Sequence, residues 1–318
     1  MKILHITNNY PTLKHPIFGI FVKEQIDSLS DQGIVNEVFF INGREKGKLE
    51  YLKSILKLRS YLKGKNYDII HCHHALSALC FIFSGRIKKN KFIISYQNDP
   101  LNEHGKYLYH FVKKRCNAII LKNNSPIVDN VSVFYQPNGV NTKFFQPISK
   151  KTCFEKLNLS KEKRFILFVS SNFIREQKRY DRFREVLAIL KNKYKLSDIE
   201  ELKLINTQRS IVPFYFNAAS LHLLTSDFEG SPNSVKEAMA CNIQVVSTDV
   251  GNVKELIDDI HGSYVSNNKN SEELAELVFN SLNYSKAINS REKLIEKKLD
   301  IESVARNIIS IYKKVINE

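Results

Sequence analysis

Paired cysteines, long apolar runs and acidic side chains are what this chain has little of. Its five cysteines, Cys72, Cys80, Cys116, Cys153 and Cys241, include no C-x-x-C pair, and an odd number argues against a disulfide framework. The longest apolar segments, such as Leu79 to Phe83, are far too short to span a bilayer. The opening residues, Met1-Lys-Ile-Leu-His-Ile-Thr, read as a strand without an h-region, so no secretory signal is expected. These deficits point to a reducing cytoplasm, with a peripheral place at the inner face of the cell membrane left open. No G-x-G-x-x-G occurs, which weighs against a dinucleotide site. No zinc-finger, RNP or basic-zipper pattern is present, so no nucleic-acid partner is expected despite the charge. There is no internal repeat of fixed period.

The shortage of acids is uneven. The 318 residues carry 48 basic and 33 acidic side chains, a net charge of +15. Residues 1–150 hold 22 of the basic groups and only 10 of the acidic ones. Most of the excess therefore sits in the first half, as expected of a domain that meets a polyanion or an anionic membrane surface.

That half alternates short β-like and longer helical patterns. Strands are predicted at Ile3–Ile6, Glu37–Ile41, Asp68–His71, Phe92–Ser95, Ala118–Leu121 and Val131–Phe134, with helical spacing at Phe21–Leu29 and Leu49–Leu62. Such alternation implies an α/β protein with parallel sheets covered by helices. Along 49–62, Leu49, Leu52, Ile55, Leu56 and Leu62 share a helix side bordered by Lys53, Lys57, Arg59 and Lys63. This fits a core-facing helix with snorkelling lysines better than a helix lying on anionic lipid. Pro137 and Gly139 mark a turn, and the charged run from Gln146 to Arg164 reads as a linker. A second sheet opens at Phe165–Val169. A helix follows from about Arg179 to Lys193, with strands near Leu202–Ile205, Leu221–Leu224 and Gln244–Ser247. Ser290 to Ile316 reads as one long helical pattern.

The most informative stretch runs from Ser226 to Ala240, Ser-Asp-Phe-Glu-Gly-Ser-Pro-Asn-Ser-Val-Lys-Glu-Ala-Met-Ala. Ser231 is placed to cap a helix and Pro232 to take its first position, where a missing N–H costs nothing. The free N–H groups beyond, with the helix dipole, suit a phosphate. Glu229 stands in the loop before the helix, and Glu237 about a turn and a half inside it. One carboxylate could hold hydroxyls on each side of a bound phosphate, which is the layout of a nucleotide-sugar.

This stretch, with Leu221-His-Leu-Leu-Thr-Ser before it and Val245-Val-Ser-Thr-Asp-Val-Gly-Asn-Val-Lys-Glu-Leu-Ile after it, resembles the E-x7-E signature of retaining glycosyltransferases of the family 4 type. The resemblance implies the GT-B fold: two Rossmann-like domains facing across a cleft, with a C-terminal helix crossing back to the first. It implies an acceptor domain at 1–145, a linker at 146–164, a nucleotide-sugar donor domain at 165–300, and a helix at 301–318 packing on the first domain. By the same resemblance Glu237 accepts from ribose hydroxyls and Glu229 faces the transferred sugar. Main-chain N–H groups of Gly230, Ser231, Pro232 (which itself has none), Asn233, Ser234 and Val235 line the phosphates and sugar, and Gly19 sits in a loop where backbone approaches the donor. Arg175 and Lys178 match the family's R-x-x-K spacing and would offset charge on the diphosphate, with Arg179 the alternative if the loop register slips by one.

In the first domain, His71 and His73 share a strand face. His73 is the candidate for the catalytic side and His71 for a satisfied core residue. Cys72 points the other way and no second ligand pair has zinc spacing, so no metal is expected. Many relatives have H-G-x-D after the fourth strand. Here Tyr96-Gln-Asn-Asp keeps Asp99 and loses the histidine, so Asp99 is either an acceptor-orienting carboxylate or part of a polar turn. The implied function is transfer of a sugar from a UDP- or GDP-linked donor, without metal or other cofactor, to a glycan or lipid-linked acceptor with retention, in cell-envelope polysaccharide synthesis. A GT-B nucleotide-sugar epimerase, a nucleic-acid-binding protein and a catalytically silent GT-B protein are the alternatives.

Overall fold

The structure, a computed structural model, describes residues 1–87, 90–123, 131–171 and 175–317. It divides into two units, Met1–Gly139 with Ile301–Glu318, and Val140–Asp300. The first holds six parallel strands, β1 (Lys2–Thr7), β2 (Val35–Phe40), β3 (Ile69–Cys72), β4 (Lys91–Ser95), β5 (Ala118–Leu121) and β6 (Ser132–Tyr135), in the order β2-β1-β3-β4-β5-β6. Each lies within two residues of its predicted place. The central strands are buried along their length because helices cover both faces.

Alternation along the strands sorts the two cores. Leu4, Ile6, Ile70, Cys72, Phe92 and Ile94 face one way, under α3 (Leu49–Tyr61), α4 (Ala75–Phe83) and α5 (Pro100–Lys113). Ile3, Ile69, Ile93 and Ile120 face the other way, under α1 (Ile20–Asp31) and the last helix, α13 (Ile301–Asn317). In α13 the residues Val304, Ala305, Ile308, Ile311, Tyr312 and Val315 form one apolar side and are buried. Each large one contributes about 1.5–3 kcal/mol when fully withdrawn from water.

The second unit repeats the plan with β7 (Arg164–Ser170), β8 (Ile199–Ile205), β9 (Leu221–Leu224), β10 (Gln244–Thr248) and β11 (Tyr264–Ser266), all parallel and ordered β11-β10-β9-β7-β8. Its helices are α6 (Lys150–Leu157), α7 (Tyr180–Asn192), α8 (Val212–Ala218), α9 (Asn233–Ala240), α10 (Val253–Ile257), α11 (Ser271–Leu282) and α12 (Ser290–Glu296). The short α2 (Gly43–Lys46) belongs to the first unit.

Three expectations are corrected. Residues 146–164 are not simply a linker: they contain α6, capped by the Ser149 side chain, with Cys153 and Phe154 buried in the second unit's core. Charged residues on its outer side made it read as loop. The pattern from Ser290 to Ile316 is two helices, broken where Lys298 takes a left-handed conformation (φ 55°) and Leu299 carbonyl accepts from Val140 N–H. The boundary between units falls at this break, between Asp300 and Ile301. Finally, α3 does not turn its leucine stripe to the core. Glu50, Ser54 and Leu58 are its buried residues, whereas Leu49, Leu52 and Leu56 are exposed.

The Tyr312 hydroxyl hydrogen-bonds His71 Nδ1 at 2.6 Å, tying α13 to the sheet through two buried polar groups. Tyr312→Phe leaves that nitrogen unpaired and is expected to cost about 1–3 kcal/mol, read as a lower urea midpoint with an unchanged slope.

Candidate active site

In both sheets the chain moves outward on one side of its first strand and then crosses to the other side. The crevice at the C-terminal ends of the strands beside that reversal is where open α/β sheets bind ligands. In the second unit the reversal lies between β7 and β9. The loops leaving these strands carry Lys178 and Glu229.

Backbone bonds lock the two loops together. Asp227 N–H donates to the Gln177 carbonyl at 2.8 Å, and Thr225 Oγ1 donates to the Lys178 and Arg179 carbonyls at 2.9 and 3.0 Å. Arg179 adopts a left-handed turn (φ 49°) and is held by Asp181 and Asp227. It therefore serves the turn, and Lys178 is the residue presented inward. Lys178 Nζ meets Glu229 Oε1 at 2.6 Å, both side chains being only 12% exposed. Ser226 Oγ donates to the same oxygen at 2.8 Å. Arg175 is exposed and lines an open cavity of about 980 Å³ with Gln177, Arg179, Asp227 and Phe228. Residues 172–174 of the predicted basic loop lie outside the described residues.

Helix α9 starts one residue later than predicted. Pro232 is its N-cap in an extended conformation and no side chain caps it; Ser231 Oγ instead accepts from the buried Lys236 Nζ at 3.0 Å. Burial of Lys236 explains the change, because an ammonium inside the protein must find acceptors. Ser234 is also turned inward. His222 Nδ1 faces the Leu167 carbonyl at 3.1 Å, so Nδ1 carries the proton and Nε2 accepts from Ser234 Oγ at 3.0 Å. Val235 is fully buried. What Gly230–Val235 can present to a ligand is therefore main chain rather than these side chains. Asn233 Oδ1 is buried with no hydrogen-bond partner among the described residues.

Glu237, inside α9, pairs with Arg209 (Nη1 to Oε1, 2.7 Å). Arg209 opens the short 3₁₀ turn after β8, and its guanidinium lies 4.7 Å from the Phe145 ring centroid. Among the described residues both glutamates are paired through Oε1, which leaves Oε2 of each to accept a hydroxyl. The sequence reading missed Arg209; the only signal was that a buried Glu237 needs a counter-charge. It also passed over Gly251, at φ 57°, where a Cβ would come within 2.1 Å of the Gly230 carbonyl. That carbonyl accepts from Asn252 N–H at 3.1 Å. Gly251 thus fixes the backbone beside Glu229.

In the first unit the reversal lies between β1 and β3, and three histidines meet there. Asn36 Nδ2 donates to Ser30 Oγ and to the Ile34 carbonyl, so its Oδ1 accepts from His5 Nε2 at 2.9 Å. His5 Nδ1 then accepts from His73 Nε2 at 2.9 Å. His71 sits between Tyr312 and Ser95 Oγ, at 2.6 and 2.7 Å, as a satisfied core histidine. Ligand atoms of His5, His71 and His73 lie within 4.8 Å of one another, a spacing that could also hold a metal ion. The distances between their partners are those of a hydrogen-bonded chain. Burial is the main cause that lowers the pKa of all three, to about 4 for His5. His73 is 1% exposed, so the expected catalytic-side imidazole is an internal one. Lys122, at the end of β5, is buried as well, donates to the Gln136 carbonyl at 3.2 Å and is lowered to about 7 by burial.

Asp99 Oδ1 accepts from Leu101 N–H at 2.8 Å, at the start of α5. Tyr96 is buried in the core. Gly19 (φ 69°) precedes α1 with its Cα against the Asn9–Tyr10 peptide, where a Cβ would be 2.3 Å from Asn9. The structure therefore brings together Lys178, Glu229 and the start of α9, with Glu237 farther along α9; Arg175 lies at the neighbouring cavity, and Gly19, His73 and Asp99 belong to the first unit.

Residues 188–283 match the family model described as Glycosyl transferases group 1. A probable sucrose-phosphate synthase from Thermosipho melanesiensis is 29% identical over 57% of this chain and 47% of its own length. The chain spans less than half the length of the curated relatives it matches. Among solved structures, a sucrose-phosphate synthase from Thermosynechococcus elongatus aligns with a TM-score of 0.80 at 13% identity, covering 100% of both chains. The Anabaena protein HepE, in complex with UDP-glucose, aligns with a TM-score of 0.70 at 14% identity, over 99% of this chain and 100% of its own. At such identities the two structures speak for the fold alone.

Two outcomes follow from the geometry. Gly251→Ala is expected to lower the melting temperature and to disturb the Gly230 backbone, seen as shifted amide resonances at Glu229 and Gly230 with distant ones unmoved. The buried His222, lowered to about 4 chiefly by desolvation, stays neutral in the fold while the unfolded chain takes up a proton near 6.5. Its share of stability is full above that value and is lost as pH falls from about 6.5 towards 4, at up to about 1.4 kcal/mol per pH unit. His222→Asn should flatten the slope of stability against pH in that window, measured by urea unfolding.

Proposed function

We propose that this chain, whose residues 188–283 match the family model described as Glycosyl transferases group 1 and whose fold is GT-B, moves a sugar from a nucleotide-sugar to a glycan or lipid-linked glycan, with retention of anomeric configuration. The observation that carries the reading is the Lys178–Glu229 pair beside the start of α9, with Arg209–Glu237 farther along the same helix. A nucleotide-sugar fits this order: ribose hydroxyls at Glu237, diphosphate at the start of α9 and Lys178, sugar hydroxyls at Glu229. Arg175 joins the diphosphate from the adjoining loop. In the proposed step the acceptor oxygen bonds to the anomeric carbon on the face from which the phosphate leaves. The sugar–phosphate bond breaks, the departing phosphate oxygen takes the acceptor's proton, and a nucleoside diphosphate is released. Lys178 and Arg175 offset the charge that builds on that oxygen.

The first unit takes the acceptor side in this reading, and a cell-envelope polysaccharide is the product under construction. We place the protein in the cytoplasm, peripheral at the inner face of the cell membrane. No helix among the described residues is long and apolar enough to cross a membrane. The UDP-glucose complex of the Anabaena neighbour supports UDP-sugars as the first donors to test, followed by GDP- and ADP-sugars, by thermal stabilisation.

Lys178→Ala should weaken donor binding and lower turnover about 10²-fold or more, because a donor to the developing charge is lost. An unchanged rate at both saturating and limiting donor would contradict this role. Turnover is expected to persist in a chelator, since the cationic side chains supply the counter-charge. A strict, reversible need for a divalent ion would overturn that. Incubation with donor alone separates transfer from epimerisation, and loss of donor hydrolysis in Glu229→Gln speaks against a silent fold.

A further inference from the structure

The outer side of α3 has a composition that neither the core nor the donor site explains. Leu49, Leu52 and Leu56 are 66%, 63% and 71% exposed. Their spacing puts them on one stripe, directly opposite the buried Ser54 and Leu58. The exposed cations Lys53, Arg59 and Lys63 flank that stripe. Residues 46–65 carry seven basic side chains and one acid, Glu50, which is buried and paired with Lys57 at 2.7 Å. The helix next to it, α4, exposes Phe83 in the same layer. Large apolar side chains that reach into water at the centre of a basic face are an arrangement with a partner missing.

We propose that this face of α3 docks on an anionic lipid surface, the leucines entering the headgroup–acyl boundary and the lysines and arginine meeting lipid phosphates. Charge and apolarity together select this occupant. A second copy of the chain, facing the first across a two-fold axis, would set two clusters of cations against each other. A nucleic acid would satisfy the cations and leave the leucines in water. A bilayer with acidic headgroups satisfies both, and an in-plane amphipathic helix needs no membrane-spanning length. The inference bears on the acceptor side of the proposed transfer but stands without it, since lipid binding is read in the absence of any donor sugar.

The test is co-sedimentation of the full chain with vesicles of phosphatidylcholine alone or mixed with phosphatidylglycerol, at low and high salt. Binding is expected only to the mixed vesicles, with strong weakening by salt. Leu52→Ser with Leu56→Ser should lower the partition coefficient at least about tenfold, because both exposed chains lose their burial. Its thermal unfolding should be unchanged, since neither side chain touches the core. Lys53→Glu with Lys63→Glu should abolish binding while the leucines remain. Equal binding to neutral vesicles, or a leucine variant that binds as the parent does, would overturn the proposal. So would a dimer that the leucine variant dissolves, or a duplex DNA that binds more tightly than the mixed vesicles. Donor-induced thermal stabilisation should be the same in parent and leucine variant, so a failed docking surface is distinguishable from a failed donor site.

Discussion

Burying a lysine and a glutamate to nearly nine-tenths is costly unless the two face each other. The Lys178–Glu229 pair is that constraint here, and the loops around it are built to hold it. Thr225 ties down the carbonyls of Lys178 and Arg179, Asp227 bonds back to Gln177, and Ser226 takes a share of the Glu229 carboxylate. Removing either charge would leave the other stranded. The pair therefore stabilises the fold of the loops and at the same time keeps an ammonium beside the start of a helix, where an anion is welcome. Glu237 repeats the arrangement with Arg209.

The position of this pair follows from strand order. Both sheets place their first strand between the second and third, so in each the loops after first and third strands diverge. In the second unit that crevice collects charge. In the first unit the equivalent strand ends collect buried histidines: His73 and His5 bond in line to Asn36, and His71 separately to Tyr312 and Ser95. One topology thus supports a layer of ion pairs in one unit and a sealed polar layer in the other. The difference lies in what covers each sheet: α13 closes over the histidine face through Tyr312 and its apolar neighbours.

The excess of positive charge acquires a location as well. A run of basic residues means little in sequence, since lysine stems often cover apolar surface. In α3 the lysines do not cover the leucines from within; the leucines themselves point outward, and the core side is filled by Ser54, Leu58 and their neighbours.

The strands, their parallel class and the Glu229–Glu237 helix were legible because each is written locally. A strand shows in alternation, a helix start in Gly-Ser-Pro, and eight residues of separation fix two carboxylates relative to one helix. The helix within 146–164 was not legible, because its buried Cys153 and Phe154 are few and its outer residues charged. Nor was the break near Lys298, where α12 and α13 continue one helical pattern yet belong to different units. Arg209, Gly251 and His5 carry no local mark: each acquires its role from a partner 28, 21 or 68 residues away. Local periodicity thus determined which elements form and where the paired acids lie. Only the tertiary structure decided which side of α3 meets water and which histidines are sealed, because burial depends on what the rest of the chain lays against each face.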